Sequence, residues 1–309
     1  MQDWKPHIEA WPSDFGPLCV HAEETVLAQL IILASQRPLH VCHVARRSEL
    51  ELIQKAKEMG LPVTCEVCPH HLFLTQDSEQ SLGPKKAQVR PCLVCAEDQQ
   101  YLWDNLDSID TIGTDHAPHT LEEKMSSAPP GFPGLETMLP LMLTAVNQGK
   151  ITLEDLEQKM YENPRRIFNL PEQPNTYIEV NLDEEWVLGK PAFSKAAWSP
   201  FEGFKVQGKV KRVVLRGQVV YIDGQILSTP GYGQDVRTWT SLPNKAEKRV
   251  KMSPEKPKLT PQPSSSAAEV LRPISPGLLN MGHLSNLPTL EFIEGLKGKS
   301  IINVAMFNR

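Results

Sequence analysis

The chain has 309 residues, of which 40% are apolar and 22% charged, and its formal net charge is −5 at pH 7. This composition is typical of a globular protein with about two domains, or with one barrel-sized domain and appendages. It gives no reason to expect nucleic-acid binding, and no apolar run reaches the ~20 residues that span a bilayer.

The N-terminus and the cysteines indicate a cytoplasmic protein. Residues 1–6 lack the apolar core of a secretory signal. Six cysteines in a chain of this length do not indicate a disulfide scaffold, so a reducing compartment is expected.

The first part of the chain alternates between short apolar runs and helical patterns. The predicted strands are residues 17–21, 39–44 and 61–67, and the predicted helices between them are residues 23–36 and 48–59. Ser48 with Glu51 has the spacing of a capping box, and Gly60 is the expected C-cap. This order predicts a parallel α/β sheet, open or closed into a barrel.

A fourth strand is predicted at Thr111–Asp115, because Pro118 has no amide donor and cannot continue a ladder. Polar residues stand at or near the ends of all four strands: His21, Cys42, His43, Glu66 and Asp115. In parallel sheets the chemistry sits at the carboxyl ends of the strands. Histidine and carboxylate ligands suit zinc, so this edge is interpreted as a metal-assisted hydrolase site. The alternative is that Asp115 caps a loop and that the histidines around it are solvated.

The long connection before Thr111 contains a predicted helix over residues 97–106 and a prominent Arg90, which precedes Pro91. Arg90 is either a clamp for a substrate carboxylate or a solvated side chain. After the Asp115 loop, residues 128–134 form a stiff Pro-rich loop over the same face. Further helices are predicted at residues 135–148, 152–161 and 163–168, with Thr152 and Asp155 as a capping box.

The remainder of the chain divides into three further segments, after a barrel-like region over residues 1–170. Residues 171–235 contain alternating strands and an Asp223-Gly224 turn, which predict a small antiparallel sheet. Residues 236–289 are rich in Pro, Ser and Lys, have too few apolar residues to bury, and indicate a flexible linker. Their excess of basic residues leaves a weak contact with nucleic acid or an acidic partner as the less favoured alternative. Residues 290–309 regain helical and strand-like patterns.

Two Cys-x-x-Cys pairs, Cys65/Cys68 and Cys92/Cys95, have the appearance of a zinc ribbon. Cys65 and Cys68 flank Glu66 on a predicted buried strand rather than on a tight knuckle. Alternation along that strand puts Cys65 and Glu66 on opposite faces, so Cys65 is interpreted as a small core residue.

Several motifs, in the same order, resemble those of dihydroorotase, a cyclic amidohydrolase. They are Val20-His21-Ala22-Glu23, His40-Val41-Cys42-His43-Val44-Ala45-Arg46, Thr64-Cys65-Glu66-Val67-Cys68-Pro69-His70-His71, and the run from Asp115 to Lys124. Pro130 to Thr137 and Gly231 to Arg237 extend the resemblance to the dihydroorotase region of animal multifunctional pyrimidine-synthesis proteins. It covers about residues 10–240, and a weaker likeness makes residues 290–309 the start of an aspartate transcarbamoylase domain.

The resemblance implies a partial (β/α)8 barrel and a role for each strand-end residue. His21 and His43 would bind one zinc of a pair and Asp115 the other, with Asp115 also acting as general base and acid on the bridging hydroxide. Cys42 and Glu66 match the positions that hold a third zinc. For substrate, the matching residues are Arg90, His119 and Pro130. The implied reaction is the reversible closure of N-carbamoyl-L-aspartate to dihydroorotate, in a protein whose parent is expected to be a homo-oligomer.

The chain also departs from that family. None of its nine histidines forms the first-strand His-x-His-x-Arg motif, and no strand before His21 supplies the carboxylated lysine. We therefore expect about strands five to eight of the barrel, inactive alone or dependent on a partner that supplies the other half. The alternatives are a non-catalytic assembly module derived from the enzyme and, as a lesser one, a dihydropyrimidinase, which the Ala-Pro-His-Thr loop disfavours.

Overall fold

The computed structural model describes residues 4–12, 16–34, 36–237 and 299–302. Except for its first two residues, the predicted linker over 236–289 lies outside the described residues, as does most of segment 290–309. None of the helices in these ranges is long and apolar enough to cross a membrane.

Four strands and the helices between them form the first half of the described chain. In order they are α1 (Lys5–Ala10), β1 (Leu18–Val20), α2 (Glu24–Leu33), β2 (Leu39–Val41), α3 (Arg47–Glu58), β3 (Val63–Val67), α4 (Pro69–Phe73), α5 (Glu79–Leu82), α6 (Ala96–Asp104) and β4 (Thr111–Ile112). The strands pair in the order β1-β2-β3-β4, all parallel, which confirms the predicted parallel α/β sheet. The strands are shorter than the apolar runs that predicted them.

Helix α3 begins differently from the prediction. The Glu49 carboxylate accepts hydrogen bonds from the backbone N–H of Ala45 (3.1 Å) and of Arg46 (3.0 Å), so Arg46 is the N-cap. The Ser48–Glu51 capping box is therefore wrong: Glu51 instead pairs with Arg47, at 2.7 Å. The buried carboxylate of Glu49 satisfies the first amides of the helix more effectively than an exposed pair can.

Shorter helices follow the sheet. They are α7 (Leu121–Ser126), α8 (Met138–Asn147), α9 (Leu153–Glu157), a π-helical turn (Gln158–Glu162) and α10 (Asn163–Ile167). The Thr152 capping box is confirmed, since the hydroxyl of Thr152 accepts the N–H of Asp155 at 3.0 Å. The single helix predicted over residues 152–161 is instead α9 followed by the π-helical turn, which runs into α10.

The second sheet is antiparallel and contains five strands in the order β8-β7-β6-β5-β9. Its members are β5 (Tyr177–Val187), β6 (Lys205–Leu215), β7 (Gln218–Ile222), β8 (Gln225–Ile226) and β9 (Lys299–Ile302). The Asp223-Gly224 hairpin joins β7 to β8 as predicted. Strand β9 pairs with β5, so the described part of segment 290–309 belongs to this sheet. Whether a further domain begins there stays a prediction.

Helix α8 joins the two halves through close packing against β6. Gly208 on β6 has φ +106°, and a Cβ placed there would lie 2.5 Å from the Cβ of Leu143. Leu143 and Met142 on α8 are fully buried in the core that also contains Leu50, Ile53 and Val67. A second apolar cluster surrounds Phe132 and Trp198 under the loops that follow β4.

Candidate functional site

The carboxyl ends of the four parallel strands meet at one edge, since Val20 aligns with Val41, Val41 with Cys65 and Val67 with Ile112. His21, His43 and Asp115 follow β1, β2 and β4 at this edge, and Glu66 is the penultimate residue of β3. The sheet therefore brings one polar side chain from each strand end to the same side of the molecule.

His21 and His43 are in direct contact. The Nδ1 atom of His21 lies 2.7 Å from the Nε2 atom of His43, and the rings meet edge to face at a centroid distance of 4.5 Å. His43 is buried, whereas the His21 side chain is 54% exposed. At 2.7 Å the two nitrogens share a hydrogen bond. As ligands of one tetrahedral zinc they would lie ~3.3 Å apart, so a small separation of the rings would open the place for a cation.

His43 is held in the neutral form that binds metals. Burial lowers its pKa; the nearby carboxylate of Asp115 opposes this, and His21 adds to the lowering. Its Nδ1 atom is buried and has no hydrogen-bond partner in the described structure. A neutral imidazole can bind zinc; here Nε2 is the nitrogen that faces His21, and the unpartnered Nδ1 is on the other side of the ring.

The backbone at two strand ends is in the left-handed region. His43 has φ +37° and Asp115 has φ +45°. Non-glycine residues adopt this conformation at a cost of about 1–3 kcal/mol, and such residues cluster at functional sites. The unusual turns direct the chain away from the sheet immediately after β2 and β4.

Glu66 has another partner. Its carboxylate lies 3.5 Å from Nε2 of His40, whose Nδ1 atom is 2.8 Å from the hydroxyl of Thr64. A Cβ at Gly113 would lie 2.8 Å from the Glu66 carboxylate, so a larger residue there would displace the carboxylate. Cys42 is buried one residue beyond β2.

The described residues fit only part of a zinc site. The two histidines converge and a carboxylate is near, but no group of three or more His, Cys, Asp and Glu residues with metal-ligand geometry occurs in the described ranges. Cys65 and Cys68 are buried and Cys92 is exposed, and burial raises the pKa of the Cys65 thiol to about 12.

The predicted substrate residues lie on neighbouring loops. Arg90 is exposed, and its guanidinium donates to the carbonyl of Val89 (2.9 Å) and to Sγ of Cys92 (3.0 Å). His119 is half-buried and its carbonyl accepts the indole N–H of Trp198 at 2.8 Å. Pro130 is exposed, on a loop whose Phe132 carbonyl accepts the N–H of Ala117 at 3.0 Å.

Three residues outside the predicted set of site residues organise these loops. Lys124 is fully buried, and its Nζ donates to the carbonyls of Gln88 (2.6 Å) and Pro129 (2.7 Å). His116 accepts the N–H of Gly134 at 3.0 Å through Nδ1. Glu136 accepts three backbone N–H groups, from residues 192, 193 and 194, at 2.7–3.1 Å. All three lie in the motifs quoted for the family resemblance, and this was the sequence signal that could have identified them.

A cavity of about 460 Å³ opens beside this loop system, and its lining includes His116, Glu136, Phe193 and Lys195. Burial lowers the pKa of His116, which therefore stays neutral near pH 7. Of the predicted site residues, none lines this cavity.

Comparison with known proteins gives several likenesses, although no family model matches the chain. It is 57% identical over 240 residues to the multifunctional protein CAD of Squalus acanthias, a match covering 76% of this chain and 11% of that protein. It is 46% identical over 204 residues to the dihydroorotase of Pyrococcus horikoshii, covering 63% of this chain and 47% of that enzyme. The chain thus spans about half the length of this shorter relative and a smaller share of the multifunctional one.

A solved structure is similar as well. The inactive dihydroorotase-like domain of the Chaetomium thermophilum CAD-like multifunctional protein superimposes with a TM-score of 0.61 at 34% identity. This match covers 72% of the chain and 63% of that domain.

Proposed function

Because the chain belongs to the dihydroorotase family of amidohydrolases, we propose that it carries half of a zinc-dependent dihydroorotase site. The four parallel strands are then about strands five to eight of an eight-stranded barrel, with the antiparallel sheet as an appendage. The substrates are N-carbamoyl-L-aspartate and dihydroorotate, and the place of action is the cytoplasm. The observation that carries the proposal is the contact between the His21 and His43 ring nitrogens, at 2.7 Å.

His21 and His43 would hold one zinc, and Asp115 would hold a second. Cys42 and Glu66 remain a proposed third site, which requires the Glu66 carboxylate to exchange its contact with His40 for a metal. Zinc at this edge would polarise the amide carbonyl and lower the pKa of water. The remaining ligands would come from the other half of a barrel, supplied by a partner or by a homo-oligomeric parent.

The reaction itself needs a proton carrier. In cyclisation the ureido nitrogen bonds to the side-chain carboxyl carbon and loses a proton, and one carboxylate oxygen leaves as water with that proton and a second one from solvent; hydrolysis reverses these events. Asp115 is the proposed carrier, because it stands at the strand-end edge beside His43. Arg90, which is exposed, would bind the substrate carboxylate, and His119 and the backbone near Pro130 would bind the ring.

The experiment combines zinc analysis with complementation. Alone, the purified chain is expected to bind zinc and not to produce dihydroorotate. Mixed with the other half of the Pyrococcus horikoshii enzyme, it is expected to turn over N-carbamoyl-L-aspartate, and Asp115→Ala should lower this rate at least ~100-fold. His43→Ala should lower the zinc content, whereas His7→Ala, at an exposed histidine on α1, should not.

Three outcomes would contradict the proposal: full-rate turnover by the chain alone, zinc content unaffected by His43→Ala, or turnover of dihydrouracil but not of dihydroorotate. The last would identify a dihydropyrimidinase-type activity instead.

A second candidate is a non-catalytic assembly module. It is favoured by the absence of a complete ligand group in the described ranges and by the likeness to a domain described as inactive. This candidate predicts that the mixture forms a stable complex without zinc-dependent turnover, which distinguishes it from the enzyme.

A further inference from the structure

We propose that Lys124 is a positioning residue that fastens together the three loops carrying Arg90, His119 and Pro130. The effect of Lys124 on substrate binding rests on the proposed function, whereas its role in holding the loops together does not. The supporting observation is the position of the buried ammonium group. Each of its contacts is either within two residues of Arg90 or Pro130, or is joined to His119 by one hydrogen bond.

The first two contacts are hydrogen bonds to backbone carbonyls. Nζ of Lys124 donates to Gln88, two residues before Arg90, at 2.6 Å, and to Pro129, one residue before Pro130, at 2.7 Å. The Gln88 carbonyl also accepts the N–H of Gly131 at 2.9 Å. Lys124 therefore joins the Arg90 segment to the Pro-rich loop at a point where the two backbones already touch.

The third connection runs through aromatic rings. Nζ lies 5.6 Å from the ring centre of Phe132 and 5.7 Å from that of Trp198, within the range of cation–π attraction. Trp198 in turn donates its indole N–H to the carbonyl of His119 at 2.8 Å. The same ammonium group thus reaches the His119 loop.

A structural role alone explains this residue poorly. Lys124 is 0% exposed, and no carboxylate in the described ranges forms an ion pair with it. Burying a cation without an opposite charge is unfavourable, and an apolar side chain of similar length would fill the space without that cost. An ammonium group, unlike an apolar side chain, can donate several hydrogen bonds at once to carbonyls from separate segments. Burial also lowers its pKa to about 8, because the ammonium group loses its hydration inside the protein.

The chain contains a matched control. Lys159 is also buried, and its Nζ also donates to two carbonyls, of Leu106 (2.8 Å) and Ile109 (2.7 Å). These carbonyls lie in the turn that precedes β4, away from the carboxyl-end loops. Lys159→Met therefore removes a buried ammonium with two carbonyl acceptors without touching the Arg90 segment.

The test measures hydrogen exchange on the full chain, and dihydroorotate binding on the full chain mixed with the other half of the Pyrococcus horikoshii enzyme. In Lys124→Met we expect the Gly131 amide to exchange about tenfold faster, and the Kd for dihydroorotate to rise about tenfold. In Lys159→Met we expect a comparable fall in melting temperature with both quantities unchanged. Lys124→Gln, too short to span both carbonyls, replaces the Met variant if that one does not fold.

The outcomes separate the two levels of the argument. If the Gly131 exchange rate is unchanged in Lys124→Met, or rises equally in Lys159→Met, Lys124 does not hold the loops together. If Gly131 exchanges faster but the Kd for dihydroorotate is unaltered, the loops are joined by Lys124 without an effect on substrate binding. If the wild-type chain mixed with the other half of the Pyrococcus horikoshii enzyme does not bind dihydroorotate, the proposed substrate is wrong, and the Gly131 exchange rates still decide whether Lys124 joins the loops.

Discussion

His71 is a buried imidazole that is held neutral by its surroundings. Its Nε2 lies 3.2 Å from the carbonyl of Pro91, the residue after Arg90, and burial lowers its pKa to about 4. Its neighbour His70 is also fully buried and has a pKa well below the usual value for the same reason. Protonation of this pair therefore opposes folding.

The first prediction concerns the pH dependence of stability. The unfolded chain protonates His71 near pH 6.5 and the folded chain only near pH 4, so the unfolded state binds more protons between these values. The free energy of unfolding should therefore fall as the pH is lowered from 6.5 to 4. His71→Asn keeps a donor for the Pro91 carbonyl and should make this decline shallower, as measured by urea unfolding at each pH.

His7→Asn, at an exposed site on α1, is the control, and it should keep the wild-type slope. A slope that is the same in all three proteins would show that His71 is not the group responsible.

Single residues also mark the limit of sequence reasoning here. The motif around Lys124 was recognised, but the flanking Glu122 and Glu123 indicate a solvated helix, and Lys124 is the buried residue among six in α7. Glu66 was predicted as a metal ligand, and its contact with His40 depends on a histidine 26 positions earlier. Neither burial nor a long-range partner can be seen in the local pattern.

At the scale of elements, the contact between α8 and β6 is a second place where a prediction can be made. Gly208→Ala combines a left-handed backbone with a Cβ only 2.5 Å from that of Leu143, so the helix or the strand must move. Such overpacking adds about 1–3 kcal/mol to a backbone strain of about 1 kcal/mol. We expect a loss of several kcal/mol in the free energy of unfolding, measured by chemical denaturation.

The control is Gly224→Ala in the β7–β8 turn, which has φ +91° with nothing within 4 Å of the added Cβ. It should cost only the backbone strain. Equal losses at the two glycines would mean that the packing of α8 on β6 adapts without cost.

Elements that coincide with a clear apolar run or alternation were predicted from sequence, but their bounds were not. The alternation within residues 171–235 indicated strands, and β5 continues to Val187 through a bulge that interrupts the alternation. Helix α4 was missed because a helix of five residues, beginning at Pro69, is too short for a helical period to be visible.

At the scale of the whole molecule, the parallel sheet has two open edges within the described chain. Strand β1 pairs only with β2, and β4 only with β3. Unpaired edge strands are templates for association with another chain. Strand β1 carries an exposed cysteine, Cys19, at its centre.

The prediction at this scale is concentration-dependent self-association, measured by analytical ultracentrifugation under reducing conditions. Cys19→Lys places a charge on the edge and should weaken association about tenfold. Cys92→Lys, at an exposed cysteine away from this edge, should leave it unchanged. A chain that is monomeric at every concentration would contradict the prediction.

The overall architecture could be predicted from sequence only where strands pair with their neighbours along the chain. The order of the parallel strands agrees with their order along the chain, which made the sheet predictable. The pairing of β9 with β5 joins segments more than a hundred residues apart, and no periodicity indicates it.

The three amides that bind Glu136 have a practical consequence for anyone who recombines this chain with its relatives. The carboxylate stands at the start of α8, whereas residues 192–194 belong to the crossover from β5 to β6. Consider a chimera in which position 136 and the β5–β6 connection come from different parents. Either the three N–H groups of the connection or the carboxylate at position 136 would then have no partner. The two segments should therefore be inherited as one module, although 56 positions separate Glu136 from Ala192.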